Sequence, residues 1–150
     1  MEIHIRKADV RDECTLFEMI RVFYASPAVL SDVPEEVIRQ DISACFDPKL
    51  PLDGYIFEAD GMAAGYAFVT QCYGTEYGGM VAWLEDLYLK PEYRGLHIAS
   101  AFFRFLQAEY NSCVRIKLEA EAENEHAIAV YKSRGFEISP YYEMVLDPKQ

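Results

Sequence analysis

In the stretch YRGLHIAS, Tyr93 to Ser100, a glycine-containing turn joins two segments of different character. Before it, WLEDLYLKPE reads as a strand stopped by Lys90 and Pro91; after it, HIASAFFRFLQAEY reads as a helix. The first four amides of any helix lack intrahelical acceptors and sit at the positive end of its dipole. Arg94, Gly95, Leu96, His97, Ile98, Ala99 and Ser100 therefore mark a place where main-chain N–H groups point outward. Phosphate is the group such an end favours.

Just upstream, two acids stand side by side on the strand, Glu85 and Asp86. Side chains alternate along a strand, so the pair is expected on opposite faces. The run Glu119, Glu121, Glu123, Glu125 reads as a solvated face, with Glu119 its nearest member to the strand. Tyr24, Tyr73 and Tyr77 are expected in loops. The four cysteines (Cys14, Cys45, Cys72, Cys113) form no CxxC pair, and no histidine stands at ligand spacing from them. They read as buried, reduced packing residues, and no metal site is expected.

The elements that must position these residues follow from periodicity. Residues 2–7, EIHIRK, alternate as a strand. Asp9 can cap a helix carrying Leu16, Phe17, Ile20 and Phe23 at helical spacing. After the loop ASPAVLSDVP, Pro34 suits a helix start, and Val37, Ile38, Ile42 and Cys45 line one side to about Phe46. YIFEADGMAAGYAFVTQCY is a hairpin turning at Asp60-Gly61. Residues 81–89 form the next strand, and the helix to about Tyr110 offers Ile98, Ala99, Phe102, Phe103, Phe105 and Leu106 for burial. VRIKLEAEA, Val114 to Ala122, alternates with Val114, Ile116, Leu118 and Ala120 on one face. Asn124 opens a last helix ended by Gly135, and FEISPYYEMVLD is expected to add short terminal strands.

That order describes one mixed α/β domain over residues 1–150, without repeat or linker. Half the residues are apolar and a quarter charged, the balance of a globular protein. No apolar run approaches the roughly 20 residues of a membrane helix. The start MEIHIRKADV lacks the layout of a signal peptide, so the cytoplasm is expected. Fourteen Lys and Arg against 25 Asp and Glu give a net charge of −11. That field repels nucleic acid and attracts cations such as amines.

Three segments, in this order and spacing, resemble the GNAT superfamily of N-acetyltransferases. RGLHIA stands at its R/Q-x-x-G-x-G/A signature, with Arg94 and Ala99 matching and His97 in place of the middle glycine. LEDLYLKPEYRG upstream is similar to the central strand and turn. NEHAIAVYKSRGF is similar to the segment N-x-x-A-x-x-x-Y-x-x-x-G-F through Asn124, Ala127, Tyr131, Gly135 and Phe136. The resemblance implies a central, mostly antiparallel sheet of six to seven strands with a splayed central pair, flanked by about four helices.

It also implies acetyl-CoA as cosubstrate. The pyrophosphate would lie on the amides from Gly95 to Ser100, the pantetheine arm along Leu87, Tyr88 and Leu89, with Asn124 holding it from the other side. His97 would serve through its amide, with a negative φ and an outward side chain; the sharper reading puts its imidazole on a CoA phosphate. Tyr131 is implied as the acid near the thioester sulfur and Glu85 as the base, with Asp86, Tyr24 and Glu119 as weaker acceptor-site candidates. LEDLYLKPEYRG is closest to the diamine and polyamine acetyltransferase branch, which implies a small cationic amine. A protein or peptide acceptor, and a non-catalytic acyl-CoA-binding module, are the alternatives. Relatives often pair through their C-terminal strands, so a homodimer is expected.

Overall fold

Ile3–Lys7 forms β1, a strand whose Arg6 reaches forward to brace the first helix. A single turn of tighter helix, Val10–Asp12, leads into α1, Glu13–Tyr24. Asp9 and Asp12 cap each other's backbone reciprocally there, which fixes where the chain leaves the strand. Pro34, extended, starts α2, Glu35–Phe46. β2 (Leu52–Ala59) and β3 (Met62–Gly74) make the expected hairpin, with Asp60 and Gly61 both at positive φ in the turn. β4, Gly79–Leu89, follows; then a short turn at Pro91–Tyr93, α3 at Ile98–Glu109, β5 at Arg115–Leu118 and α4 at Glu125–Ser133. This computed structural model describes residues 1–149.

The chain divides into two compact units, Met1–Glu119 and Ala120–Gln150. The first holds a five-stranded sheet in the order β1-β2-β3-β4-β5, antiparallel except for the final β4–β5 pair. One face, through Ile56, Tyr66, Phe68 and Tyr88, packs on Leu16, Met19 and Ile20 of α1 and Ile38, Ile42 and Cys45 of α2. On the other face Phe57 meets Phe102 of α3, ring centroids 4.8 Å apart, and Tyr55 meets Phe105 at 5.1 Å. Burying each such side chain is worth about 1.5–3 kcal/mol, so the two aromatic layers hold the sheet between its helices. The second unit carries α4, which Gly135 ends at a φ of 95°.

Three expectations about the fold are corrected. The sheet has five strands among the described residues, not six to seven: the segment after Gly135 forms no strand. Its side chains lie open instead, with Tyr142 97% exposed and Met144, Val145 and Leu146 close behind. The strand expected over 114–122 shrinks to Arg115–Leu118, the residues that run in register with β4; Val114, half exposed, adds one main-chain bond to Met80 O at 2.8 Å. Of the cysteines only Cys45 is buried; Cys14 and Cys72 are exposed and Cys113 is partly covered.

Candidate functional site

The turn after β4 is tied down by main-chain and side-chain bonds. Lys90 N–H donates to Ala64 O at 2.9 Å, Arg94 N–H to Pro91 O at 3.2 Å, and Arg94 Nε to Leu89 O at 3.0 Å. Arg94 thus fastens the turn back to the strand end. Gly95 (φ 76°) and His97 (φ 65°) are both left-handed, and the helix of α3 starts at the next residue, Ile98. No side chain caps that helix. The amides of Ile98 and Ala99 at its start are therefore open to solvent or an anion.

The positive φ of His97 corrects the negative value expected. The backbone reverses here so that α3 can leave from a β-strand, and that reversal imposes the left-handed conformation whichever residue stands there. A glycine would take it freely; a histidine does so at a cost of about 1 kcal/mol. The side chain itself is exposed.

β4 and β5 run side by side only from Val81↔Arg115 to Leu84↔Leu118. Beyond that fork the strand pairing of Glu85–Leu89 within this unit is with β3, through Leu87↔Ala67, Tyr88↔Tyr66 and Leu89↔Gly65, and the carbonyl of Leu89 accepts from Arg94 Nε. The segment's other edge offers main-chain groups to which an extended ligand can add as a strand does. Gly65 permits a close approach: a Cβ there would run into the carbonyl oxygen of Tyr88. Glu119 follows the last paired residue of β5 and is exposed at the fork.

A β-bulge falls at the same point. Val69 pairs with Leu84 but Phe68 with Asp86, so Glu85 is the extra residue. A bulge breaks the alternation of side chains, and this one overturns the expected opposite faces of Glu85 and Asp86. Thr70 Oγ1 donates to Glu85 Oε1 at 2.7 Å, and Tyr66 donates its hydroxyl proton to Asp86 Oδ2 at 2.8 Å. Tyr66, Phe68 and Thr70 share one face of β3, so both carboxylates lie over the α1/α2 side of the sheet. Glu85 is exposed there and Asp86 buried.

Behind Glu85 the buried acid belongs to a cluster that sequence reasoning missed. Tyr24 donates its hydroxyl proton to Asp41 Oδ2 at 3.1 Å, and the same hydroxyl lies against Asp86. Burial pushes the Asp86 carboxyl up to about 6; hydrogen bonds from Tyr24 and Tyr66 pull the other way, and the charges of Asp41 and Glu85 add to the rise. Burial also raises Asp41, opposed by the Tyr24 bond, and holds Tyr24 and Tyr66 well above the usual phenol range. One signal was readable: Asp41 is an acid set between Ile38 and Ile42 on the apolar side of α2.

Of the tyrosines expected in loops, two lie elsewhere and one is in a turn. Tyr24 is the last residue of α1, and Tyr73 lies within β3, exposed. Tyr77 is in the turn before β4 but is covered by cations, with the Arg115 guanidinium 4.4 Å and the Lys117 ammonium 5.3 Å from its ring centre. In the second unit Asn124 Oδ1 accepts from Ala127 N–H at 3.2 Å and so caps α4. Tyr131, on that helix, packs edge-on against Phe136 at 6.1 Å, and burial raises its phenol above the usual value. Among the described residues no group of three or more His, Cys, Asp or Glu could hold a metal ion, and no helix is long and apolar enough to cross a membrane.

The sequence profile of the Acetyltransferase (GNAT) family matches residues 16–136. No curated protein sequence matches the chain. Among solved structures it is similar to a "possible acetyltransferase from Clostridium difficile 630", with TM-score 0.84 and 18% identity over 98% of each chain. A second is AAC(6')-Iy in complex with the bisubstrate analogue CoA-S-monomethyl-acetylneamine, with TM-score 0.79 and 17% identity over 98% of this chain and 99% of that one. A third is a "predicted acetyltransferase with acetyl-CoA from Clostridium acetobutylicum", with TM-score 0.77 and 19% identity over 97% of this chain and 96% of that one.

Proposed function

Since the chain belongs to the Acetyltransferase (GNAT) family, we propose that it moves the acetyl group of acetyl-CoA to a primary amine by direct attack, with no covalent enzyme intermediate. Acetyl-CoA is the cosubstrate. The residues fit it: the uncapped start of α3 and the turn Arg94–His97 suit a pyrophosphate, and the edge of Glu85–Tyr88 that β3 does not use suits an extended amide-bearing arm. One observation carries the reading. The fork of β4 and β5, the bulge and an exposed carboxylate all coincide at Glu85.

Acyl transfer to an amine needs a neutral nucleophile, a stabilised oxyanion and a protonated leaving thiolate. Glu85 is assigned the first task, taking a proton from the acceptor ammonium directly or through water. An amide of β4 near Leu87 is assigned the second. Tyr131 is assigned the third: its phenol carries its proton at neutral pH, as an ordinary tyrosine does. Asp86, Tyr24 and Glu119 complete the acceptor side, and Asn124 and Ser100 the CoA side.

The net charge of −11 supports a small cationic acceptor, of the diamine or polyamine kind suggested by LEDLYLKPEYRG. The test is release of free thiol from acetyl-CoA against polyamines, amino acids, aminoglycosides and peptides, with Glu85→Gln and Tyr131→Phe alongside. A small amine should give the highest kcat/KM, and each variant should lose at least about tenfold. Turnover best on a peptide would replace the acceptor class. Folded protein that binds acetyl-CoA yet acetylates none of the panel would point to a binding module instead.

Residues 1–150 are read as one catalytic domain, which the span of the family match across both compact units supports. The exposed apolar run Tyr141–Leu146 supports a homodimer, and light scattering should then give about twice the 17.2 kDa chain mass. Four unpaired thiols support a reducing, cytoplasmic setting.

A further inference from the structure

We propose that Asp86 is a positioning residue for proton transfer at Glu85: its buried carboxylate, fixed by Tyr66 and Tyr24, holds a second negative charge behind Glu85 on the same face of the sheet. The inference rests on the assignment of Glu85 as the base and deepens it.

The chemistry explains why a second charge is needed. An alkylammonium holds its proton about six pH units more tightly than a carboxylate does, so a lone carboxylate takes it uphill. A fixed negative charge close by makes the protonated carboxyl and the approaching cation both more favourable. The bulge supplies that arrangement, because without it Asp86 would face the opposite side of the sheet.

The surroundings keep the charge uncompensated. Facing Asp86 are Tyr24 from α1, Asp41 from α2, Tyr66 from β3 and Glu85 from β4 itself. Among the described residues no Lys or Arg makes an ion pair with it. Two phenols orient the carboxylate without neutralising it. With its carboxyl pushed up to about 6, Asp86 is ionised at neutral pH and loses its charge in mildly acid solution. Turnover should therefore carry an acid limb that belongs to Asp86.

The experiment is the pH profile of kcat/KM for the amine, from pH 5 to 9, in the full chain. The parent should fall away below about pH 6. Asp86→Asn should lose about tenfold at pH 8, the worth of one pH unit of interaction, and show no limb near pH 6. The KM for acetyl-CoA should not change. Asp86→Glu should restore part of the rate and the limb. Tyr66→Phe removes a hydrogen bond that favours the ionised form, so its limb should move to higher pH. Tyr66→Phe also reads the effect should Asp86→Asn not fold. An Asp86→Asn enzyme within twofold of the parent, or one keeping the limb near pH 6, would overturn the proposal. So would a Tyr66→Phe limb that stays in place or moves down. Failure of the base assignment looks different, with Glu85→Gln running at the parent rate whatever Asp86 does.

Discussion

Two aspartates, Asp12 and Asp86, are buried to nearly the same degree, 8% and 9% exposed, in opposite surroundings. Asp12 receives a two-pronged hydrogen bond from Arg6, both contacts at 2.8 Å, and a main-chain bond from Asp9 N–H at 2.9 Å. The Arg6 guanidinium holds its carboxyl below the ordinary value, with burial opposing. Asp86 has phenols and other acids for neighbours, and its carboxyl is raised to about 6. The first acid stabilises the fold and the second costs it. Asp86 adjoins Glu85, the base proposed above, and a residue that costs stability there is the pattern expected if that proposal holds.

The pH signs follow. Asp12 has a depressed folded value, so its contribution is present above the unfolded carboxyl range and is lost as pH falls through the folded value. Asp86 has a raised folded value, so its penalty is full above about pH 6 and vanishes below about pH 4.

The largest effect should come from Arg6→Met, which strands Asp12 without its partner. Removing one member of a buried pair costs about 3–5 kcal/mol, reduced here to about 2–3 because Arg6 keeps some solvent contact. Urea denaturation at pH 7 reads it; a loss under about 0.5 kcal/mol would show that the two acids are not energetically different. Asp86→Asn should do the reverse and stabilise by about 1–3 kcal/mol at pH 8, a shift of about two pH units being an upper bound. The gain should fade toward pH 4, and a gain equal at pH 4 and pH 8 would assign it to something other than charge. The smallest effect is His97→Gly. It should be near neutral or stabilise by up to about 1 kcal/mol, the relief of left-handed strain being offset by glycine's backbone entropy. Melting curves should show it equally at both pH values, because this cost is steric rather than electrostatic.

How far the sequence could be read differs along the chain. Asp60-Gly61 placed the hairpin, because few residues accept two successive positive φ angles. The apolar stripe of α2 named Ile38, Ile42 and Cys45 as core, and the glycine turn before α3 located the amides. The same stripe held Asp41 without revealing its partner, since Tyr24 is 17 residues away and meets it only when two helices pack. The terminal strands failed for a related reason. Alternating apolar residues state a capacity to pair, but a strand exists only where an edge is present to pair with.

The sequence by itself determined the element order as far as Gly135, the charge, the core faces and the family, because these depend on local periodicity and on short motifs. Tertiary structure decided which side Asp86 faces. Alternation is a local rule, and it predicted the opposite face. The bulge arises from the register between β3 and β4, where Phe68 pairs with Asp86 and Val69 with Leu84, leaving Glu85 over. Register is a property of two strands together, fixed by what Tyr66 and Phe68 must bury beneath α1 and α2. No pattern within LEDLYL contains it.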